Sequence, residues 1–412
     1  MTKRNFVIGG GLSGVSFCYF RKECDNIIFE KESRLNGRIQ TISIEDNAIE
    51  IGAQFFCKED KFIYNLIKEL GFDNNLQRIN LHNFSVLHKN RIIKLKNKIS
   101  EDLSKEEKEE LNNFYFFLEN EAIKIFNNPS PDLFFIHFDK WYHQNFGENA
   151  DWLIMSLVRA ITFSEPKELS TFYGLLVCSS FFEPCYSIQG GMELLNQKLI
   201  SIAKPKILTG NKITKLEINN NRVNQIEINN KEKIKINEKD SVISSIPSKE
   251  LADLLPNSSF KKQLEKIKYN GCGVTLLKTQ KQLLDYDSGL LCAKNKGISI
   301  IIDESKYLGL NRLNKYIVIL TPYKTGEKKI FEKTLMGARE LIPNLDKNIE
   351  NVEFFTWDYG LPIASPELFN IQKELLRNEF ENLYLCGDYM GMPSLDACIE
   401  SSKSTAKRIL RR

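Results

Sequence analysis

Three glycines and one acidic residue near the start of the sequence have the spacing of a dinucleotide-binding motif. The stretch VIGGGLSG places glycines at Gly9, Gly11 and Gly14, the pattern GxGxxG. Bare backbone of this kind lets a diphosphate approach the main-chain N–H groups that bind it. Glu30 follows Gly11 by about 20 residues, where a carboxylate accepts a hydrogen bond from a ribose hydroxyl and repels a 2′-phosphate. These four residues predict a site for an unphosphorylated adenine dinucleotide.

The segments around the glycines are those that the motif needs. Residues 6–8 form a short apolar run that predicts a buried strand, residues 12–23 have helical apolar spacing, and residues 26–31 predict a second strand. A strand, a glycine turn, a helix and a strand within about thirty residues form a βαβ unit. Lys31, next to Glu30 at the end of the second strand, is a further candidate cofactor contact.

Each glycine has its own function in such a unit. Gly9 permits the tight turn, Gly11 lets the diphosphate approach the backbone, and Gly14 lets the helix pack closely on the strand. The N-terminal turn of the helix, which includes Leu12 and Ser13, then offers amide groups and partial positive charge to the phosphates.

The next stretch, RLNGR at residues 34–38, resembles the Arg-x-Gly-Gly-Arg signature of a large flavoprotein family. That family includes amine oxidases, protoporphyrinogen oxidases, carotenoid desaturases and renalase-like proteins. The resemblance implies that the dinucleotide is FAD and that Arg38 pairs with its diphosphate. Asn36 replaces one glycine of the signature, and the turn can survive because asparagine tolerates a positive φ.

Two further stretches extend the resemblance. In AIEIGAQFF the acid-x-Gly pattern of the family implies that Gly52, Ala53 and Gln54 lead the chain past the flavin. In KILTGNKITKLEI the family places a backbone contact to adenine near Ile213.

The stretch ENLYLCGDYMGMPSLDACIESS carries the remaining motifs. A predicted strand ends at Gly387 and Asp388, and the resemblance implies that Asp388 meets the ribityl-phosphate part of FAD. The residues PSLDACIESS resemble the start of a helix that lies against the flavin ring, which makes Ser394, Leu395 and Cys398 candidate contacts. The N-terminus of such a helix can stabilise negative charge on reduced flavin.

These motifs predict an α/β fold with a Rossmann-like FAD-binding domain of the glutathione-reductase type and a second, α+β substrate domain. Because the motifs come from distant parts of the chain, the FAD-binding domain is discontinuous. We assign to it residues 1–75, 188–258 and 350–412. The substrate domain takes residues 76–187 and 259–349, with a helical part and a mixed sheet.

Composition excludes several classes of function. The 57 basic and 53 acidic residues nearly balance, whereas a nucleic-acid-binding protein usually has a strong basic excess. The nine cysteines show no CxxC spacing, and no metal site is predicted. We expect a cytoplasmic protein. We also expect no transmembrane segment, since no apolar run reaches about 20 residues. Peripheral membrane contact stays open, and the oligomeric state is not predicted.

The expected activity is that of an FAD-dependent oxidoreductase which removes a hydride from a C–H or C–N bond, with O2 or another acceptor reoxidising the flavin. In the amine oxidases of the family, a lysine lies on the first strand of the substrate domain and aromatic residues flank the flavin. The stretch GCGVTLL at 271–277 has no lysine. At the place where one of the flanking aromatic residues is expected, the sequence has Pro393, Ser394 and Leu395. We therefore expect a largely apolar or cyclic small-molecule substrate.

Alternatives to this activity remain at the level of sequence. One is a protoporphyrinogen-oxidase-like or carotenoid desaturase/isomerase-like enzyme. Another is a flavin-holding binding protein without turnover, because no catalytic side chain is identified. A dehydrogenase that uses only a nicotinamide cofactor has no use for the Gly387-Asp388 motif.

Overall fold

A computed structural model of the chain describes residues 3–44, 47–79, 84–89, 91–94, 103–180, 183–284, 288–292, 297–307, 315–324, 326–377 and 380–410. The polypeptide divides into two compact units, each built from separate stretches of chain. The first unit comprises Met1–Leu76, Ser187–Lys268 and Leu368–Arg412, and the second comprises Gln77–Tyr186 and Tyr269–Glu367.

The unit boundaries differ from the expected domain limits by more than one residue in two places. Residues 259–268 belong to the first unit, and residues 350–367 belong to the second. The second difference arises because residues 349–362 form one long strand that pairs along its length with a strand of the second unit. The assignment of FAD binding to the first unit and of substrate binding to the second stays a prediction.

Fourteen α-helices and twenty strands are defined within the described residues. The helices are α1 (Leu12–Phe20), α2 (Lys61–Glu69), α3 (Lys105–Phe117), α4 (Ile123–Asn127), α5 (Phe138–Asn145), α6 (Asp151–Thr162), α7 (Thr171–Ser180), α8 (Glu193–Ala203), α9 (Ser248–Leu254), α10 (Ser259–Lys266), α11 (Glu304–Tyr307), α12 (Ile330–Leu341), α13 (Pro366–Leu376) and α14 (Leu395–Leu410). The strands are β1 (Arg4–Ile8), β2 (Asp25–Phe29), β3 (Thr41–Ile44), β4 (Asn47–Glu50), β5 (Phe56–Cys57), β6 (Leu76–Ile79), β7 (Phe84–His88), β8 (Arg91–Lys94), β9 (Cys185–Ile188), β10 (Lys206–Leu208), β11 (Ile213–Asn219), β12 (Arg222–Ile228), β13 (Glu232–Lys235), β14 (Ser241–Ser244), β15 (Tyr269–Thr279), β16 (Gly289–Leu291), β17 (Ile300–Asp303), β18 (Lys315–Tyr323), β19 (Ile349–Pro362) and β20 (Leu383–Leu385).

A five-stranded parallel sheet organises the first unit. Its strand order is β10-β2-β1-β14-β20, so the predicted first strand lies in the middle. Val7 and Ile28 pair in register and are fully buried, which explains why both strands read as continuous apolar runs. The predicted βαβ unit is confirmed as β1, α1 and β2.

The second unit is built on a seven-stranded mixed sheet in the order β19-β15-β18-β17-β16-β7-β8. Neighbouring strands of this sheet are antiparallel, apart from the parallel pair β16 and β7. One face carries a buried apolar cluster that includes Leu277, Ile301 and Ile319 and packs against Ala338 of α12. The mixed sheet expected for this part of the chain is confirmed, with α3 to α7 supplying the helical part.

Candidate functional site

The turn between β1 and α1 has the form that a phosphate-binding loop requires. Gly9 has a φ of +102° and its N–H donates to Phe29 O at 2.8 Å. A Cβ on Gly14 would overlap the carbonyl oxygen of Gly9, so only glycine lets α1 come this close to the turn. Gly11 differs, because the nearest heavy atom to a Cβ there is Gly37 Cα at 3.9 Å. The surface over Gly11 is therefore open.

The N-terminus of α1 supplies donors at the same place. Gly11 is the N-cap residue, no side chain caps the helix, and its first turn contains no acidic residue. Leu12 and Ser13 are buried in this turn. An uncapped helix N-terminus beside open glycine backbone is a natural anion site. The five residues predicted from GxGxxG thus form one structural feature.

Glu30 lies where the ribose-binding acid was expected. It follows β2 directly and is buried. Its Oε2 accepts from Gly10 N at 2.7 Å and its Oε1 accepts from Glu32 N at 3.0 Å. Each oxygen keeps a lone pair for a hydroxyl donor, since a carboxylate accepts about four hydrogen bonds. Lys31 instead pairs with Glu250 of α9 at 2.8 Å.

Arg38 and Asp388 are far apart in sequence and form a bidentate ion pair in the structure. The guanidinium Nη1 lies 2.6 Å from Asp388 Oδ2, and Nη2 lies 2.9 Å from Oδ1. Asp388 is buried, whereas the Arg38 side chain is 29% exposed. The predictions treated the two residues as separate contacts to the cofactor. Their pairing fixes the orientation of the guanidinium plane, as a fork-shaped contact does.

The segment 50–54 is fastened to the backbone next to Arg38. Ala53 N donates to Arg38 O at 2.9 Å, and a Cβ on Gly52 would overlap that same oxygen. Gln54 is buried and its Nε2 donates to Glu50 O at 3.4 Å. The three predicted residues Gly52, Ala53 and Gln54 therefore lie next to the 34–38 loop.

Glu50 is a buried acid that the predicted site omitted. Its Oε1 accepts from Met192 N at 2.6 Å and from Thr41 Oγ1 at 2.9 Å. Burial raises its pKa to about 8 despite these donors, and the nearby Glu193 carboxylate acts in the same direction. The motif gave the position of Glu50, but only the fold reveals that it ties β4 to the start of α8.

The helix α14 lies against α1 through small side chains. Ser402 Oγ donates to Ser13 O at 2.8 Å, and Ala397 and Cys398 are buried. Ser394 caps the helix, since its Oγ accepts from Ala397 N at 3.1 Å. Leu395 is the first residue of α14 and half-buried. Burial raises the pKa of the Cys398 thiol to about 12, so this group is uncharged.

The position of Ile213 agrees with a contact near the ribose acid. Just before β11, Gly210 N donates to Glu32 O and Asn211 N donates to Glu30 O, both at 2.9 Å. Ile213 itself is buried and pairs with Ile228. The residues predicted to hold the adenosine half thus meet at the end of β2, and their contacts with FAD stay predictions.

A cleft in the second unit contains basic side chains that contact nearby glutamates. A cleft of about 280 Å³ is lined by residues that include His88, Trp152 and Arg159. His88 Nε2 lies 3.0 Å from Glu107 Oε1, and Arg159 Nε lies 3.2 Å from Glu165 Oε2. These contacts favour structural roles for His88 and Arg159.

One part of the amine-oxidase comparison concerns the strand β15 of the second unit. Its one lysine, Lys278, lies beyond the stretch 271–277 and is 3.8 Å from Glu350. In the described ranges, no group of three or more His, Cys, Asp or Glu residues is arranged to hold a metal ion. None of the helices in the described part combines the length and apolar content that crossing a membrane requires.

Comparison with protein families agrees with this geometry. The model of the flavin-containing amine oxidoreductases matches residues 21–410, almost the whole chain. Among curated proteins, coproporphyrinogen III oxidase of Staphylococcus aureus (strain NCTC 8325 / PS 47) is 34% identical over 80 residues. That match spans 18% of this chain and 17% of the relative.

Solved structures share the fold along the entire chain. A candidate protoporphyrinogen oxidase from Exiguobacterium sp. 255-15 is similar with a TM-score of 0.76 and 17% identity, covering 100% of both chains. Cyclohexylamine oxidase from Brevibacterium oxydans IH-35A is similar with a TM-score of 0.75 and 11% identity, again over 100% of both chains. Identities this low establish a common fold.

Proposed function

Because the chain belongs to the family of flavin-containing amine oxidoreductases, we propose that it is an FAD-dependent oxidoreductase acting on a largely apolar or cyclic small molecule. The observation that supports this best is the convergence within the first unit. The open turn at Gly11, the acid Glu30 and the Arg38–Asp388 pair all gather around α1. These are the groups that the two phosphates and the ribose of FAD require.

The residues fit FAD by chemistry as well as by position. Bound FAD supplies the hydride acceptor. The amide groups at the start of α1 would receive the diphosphate, and the Arg38 guanidinium, which Asp388 orients, would donate hydrogen bonds to it. Glu30 accepts from the ribose. The uncharged thiol of Cys398 and the small Ala397 would let α14 lie close to the cofactor without adding charge.

The substrate is proposed from the second unit and the relatives. On β15, Val274, Leu276 and Leu277 are buried apolar residues, and Lys278 at its end lies near Glu350. This arrangement lacks the lysine that the family's amine oxidases carry on the strand. Two similar proteins are described as porphyrinogen oxidases. A reduced tetrapyrrole is therefore the first substrate class to test, with oxidation at a C–H bond and O2 or another acceptor reoxidising the flavin.

The test begins with the cofactor and then moves to reduction. Denaturing release followed by mass measurement should yield FAD. The holoprotein is then mixed anaerobically with coproporphyrinogen, protoporphyrinogen or a cyclic amine such as cyclohexylamine. We expect a porphyrinogen to bleach the flavin absorption band and the amine to leave it unchanged. Bleaching by the amine alone would contradict a reduced tetrapyrrole as the substrate, and a spectral shift without bleaching by any of them would favour a flavin-holding protein without turnover.

A further inference from the structure

The loop at 34–38 is held on the glycine-rich turn by backbone contacts. Asn36 N donates to Gly10 O at 2.9 Å, and Asn36 forms a parallel β-bridge with Gly11. Gly37 packs onto Gly11 at the edge of the open surface. The position of this loop therefore sets how much room a diphosphate has over the turn.

Asn36 holds an unusual backbone conformation in that loop. Its φ is +81°, in the left-handed region that asparagine enters more readily than most residues other than glycine. A glycine adopts this conformation without strain, but it has no side chain that could form a hydrogen bond with a neighbour. In this chain the Asn36 side chain is held by a hydrogen bond, since Asn196 Nδ2 donates to Asn36 Oδ1 at 3.1 Å.

The buried position of Asn196 destabilises the fold. It is completely buried on α8, and within the described part of the chain its Oδ1 has no hydrogen-bond partner. A buried amide with one end unsatisfied costs free energy that an apolar side chain would not. The contact with Asn36 is thus the specific interaction that this buried amide makes.

The helix that carries Asn196 is itself firmly anchored. Met192 N, just before α8, donates to the buried Glu50 carboxyl, and Glu193 Oε1 accepts from Thr41 N at 3.2 Å. The helix also packs against α1. Asn196 therefore projects from a fixed support towards the loop.

We propose that Asn196 is a positioning residue that holds Asn36, and with it the 34–38 loop, in the arrangement over the glycine-rich turn that receives the FAD diphosphate. The inference rests on the proposed FAD-dependent function. It assigns to a side-chain pair the task of fixing a loop in which the family signature has glycine.

A double-mutant cycle tests the pair. The variants are Asn196→Ala, Asn36→Gly and the double variant, with Gln197→Ala, at an exposed position of α8, as the matched control. Apoprotein is titrated with FAD by flavin fluorescence and with ADP by calorimetry. ADP carries the adenosine and the diphosphate without the flavin, so its Kd reports on the turn and the ribose acid Glu30 without any contribution from the flavin ring. The melting temperature of each apoprotein is measured as well.

We expect each single variant to raise both Kd values by about five- to tenfold, the equivalent of one net hydrogen bond. The double variant should bind no more weakly than either single variant, because both substitutions remove the same contact. Gln197→Ala should match the wild type. Melting temperatures of the apoproteins should not follow the order of the Kd values.

Two results would overturn the proposal. One is an unchanged Kd in Asn196→Ala, and the other is a double variant whose loss equals the product of the single losses. If Asn196→Ala does not fold, Asn36→Gly decides alone, because glycine accepts the positive φ and an unchanged Kd then rejects the pair. A wild-type protein that binds neither FAD nor ADP would contradict the proposed function itself.

Discussion

At the scale of single residues, the three glycines of one motif have different physical roles. Gly14 is required by the protein itself, since a Cβ there would overlap Gly9 O. Gly11 has no such constraint, so the lack of a side chain there leaves room for a ligand over the turn. Substitutions at the two positions therefore separate folding from cofactor binding.

Gly11→Leu should give folded protein that purifies without FAD, because its side chain fills the open surface over the turn. Gly14→Ala should instead lower the free energy of unfolding by about 3 kcal/mol, because α1 must shift to make room. Flavin absorbance and urea unfolding distinguish the two effects. A Gly11→Leu protein that retains its flavin would refute the assignment of this surface to the diphosphate.

Neighbouring residues at the end of β2 make a second contrast. Glu30→Arg should abolish FAD binding, because it removes the acceptor of the Gly10 and Glu32 amides and places a cation where ribose hydroxyls need a lone pair. Lys31→Ala should keep its flavin, because Lys31 contacts Glu250. The flavin content of the two purified variants is the measurement. Equal loss in both would mean that the end of β2 binds FAD differently.

At the scale of elements, a buried carboxyl connects β4 to the start of α8. The pKa of Glu50 is raised to about 8, so the folded protein keeps a proton that the unfolded chain releases near pH 4.5. Between these values the folded state binds more protons, and its stability therefore falls as pH rises. Asp396, which caps α2 by accepting from Ile63 N and has a pKa of about 7, contributes with the same sign.

Glu50→Gln should flatten this pH dependence. The glutamine carbonyl can still accept from Met192 N, and it has no proton to lose. We expect the wild type to lose up to about 1.4 kcal/mol of stability per pH unit through this group, relative to the variant, between pH 5.5 and 8. Urea unfolding at several pH values measures the slope. The exposed Glu265→Gln is the control, and parallel slopes for wild type and Glu50→Gln would rule out the buried proton.

Sequence reasoning works best where partners are close along the chain. The turn from Gly9 to Gly14 and the acid Glu30 belong to one βαβ unit, whose local geometry is nearly fixed by residue type. The pairing of Arg38 with Asp388 depends on how distant strands assemble, and no local pattern encodes it. Asn196 shows the same limit, because nothing on α8 marks one buried amide as the partner of a loop.

At the scale of the whole molecule, the first unit needs all three of its chain segments. The strand β20 and the helix α14 come from the last segment, where β20 pairs with β14 and α14 covers α1. Within the described residues, no other strand pairs with β14 on the side away from β1.

A chain that stops at residue 367 should therefore fail to form the cofactor site. Its β14 would have an unpaired edge, and the apolar side of α1 would be exposed, so we expect aggregation and no bound FAD. Soluble yield and flavin content measure the outcome, and supplying residues 368–412 as a co-expressed fragment should restore part of both. A soluble, yellow truncated protein would show that the third segment is dispensable.

The central position of β1 has a consequence for the order in which the protein matures. β1 is flanked by β2, which is translated soon after it, and by β14, which is translated much later. Within residues 383–410, β20 then pairs with β14 at the edge of the sheet, and α14 covers α1. During translation the nascent chain must keep β1 from aggregating until these later partners emerge, so cofactor capture must wait until residues 383–410 have been synthesised.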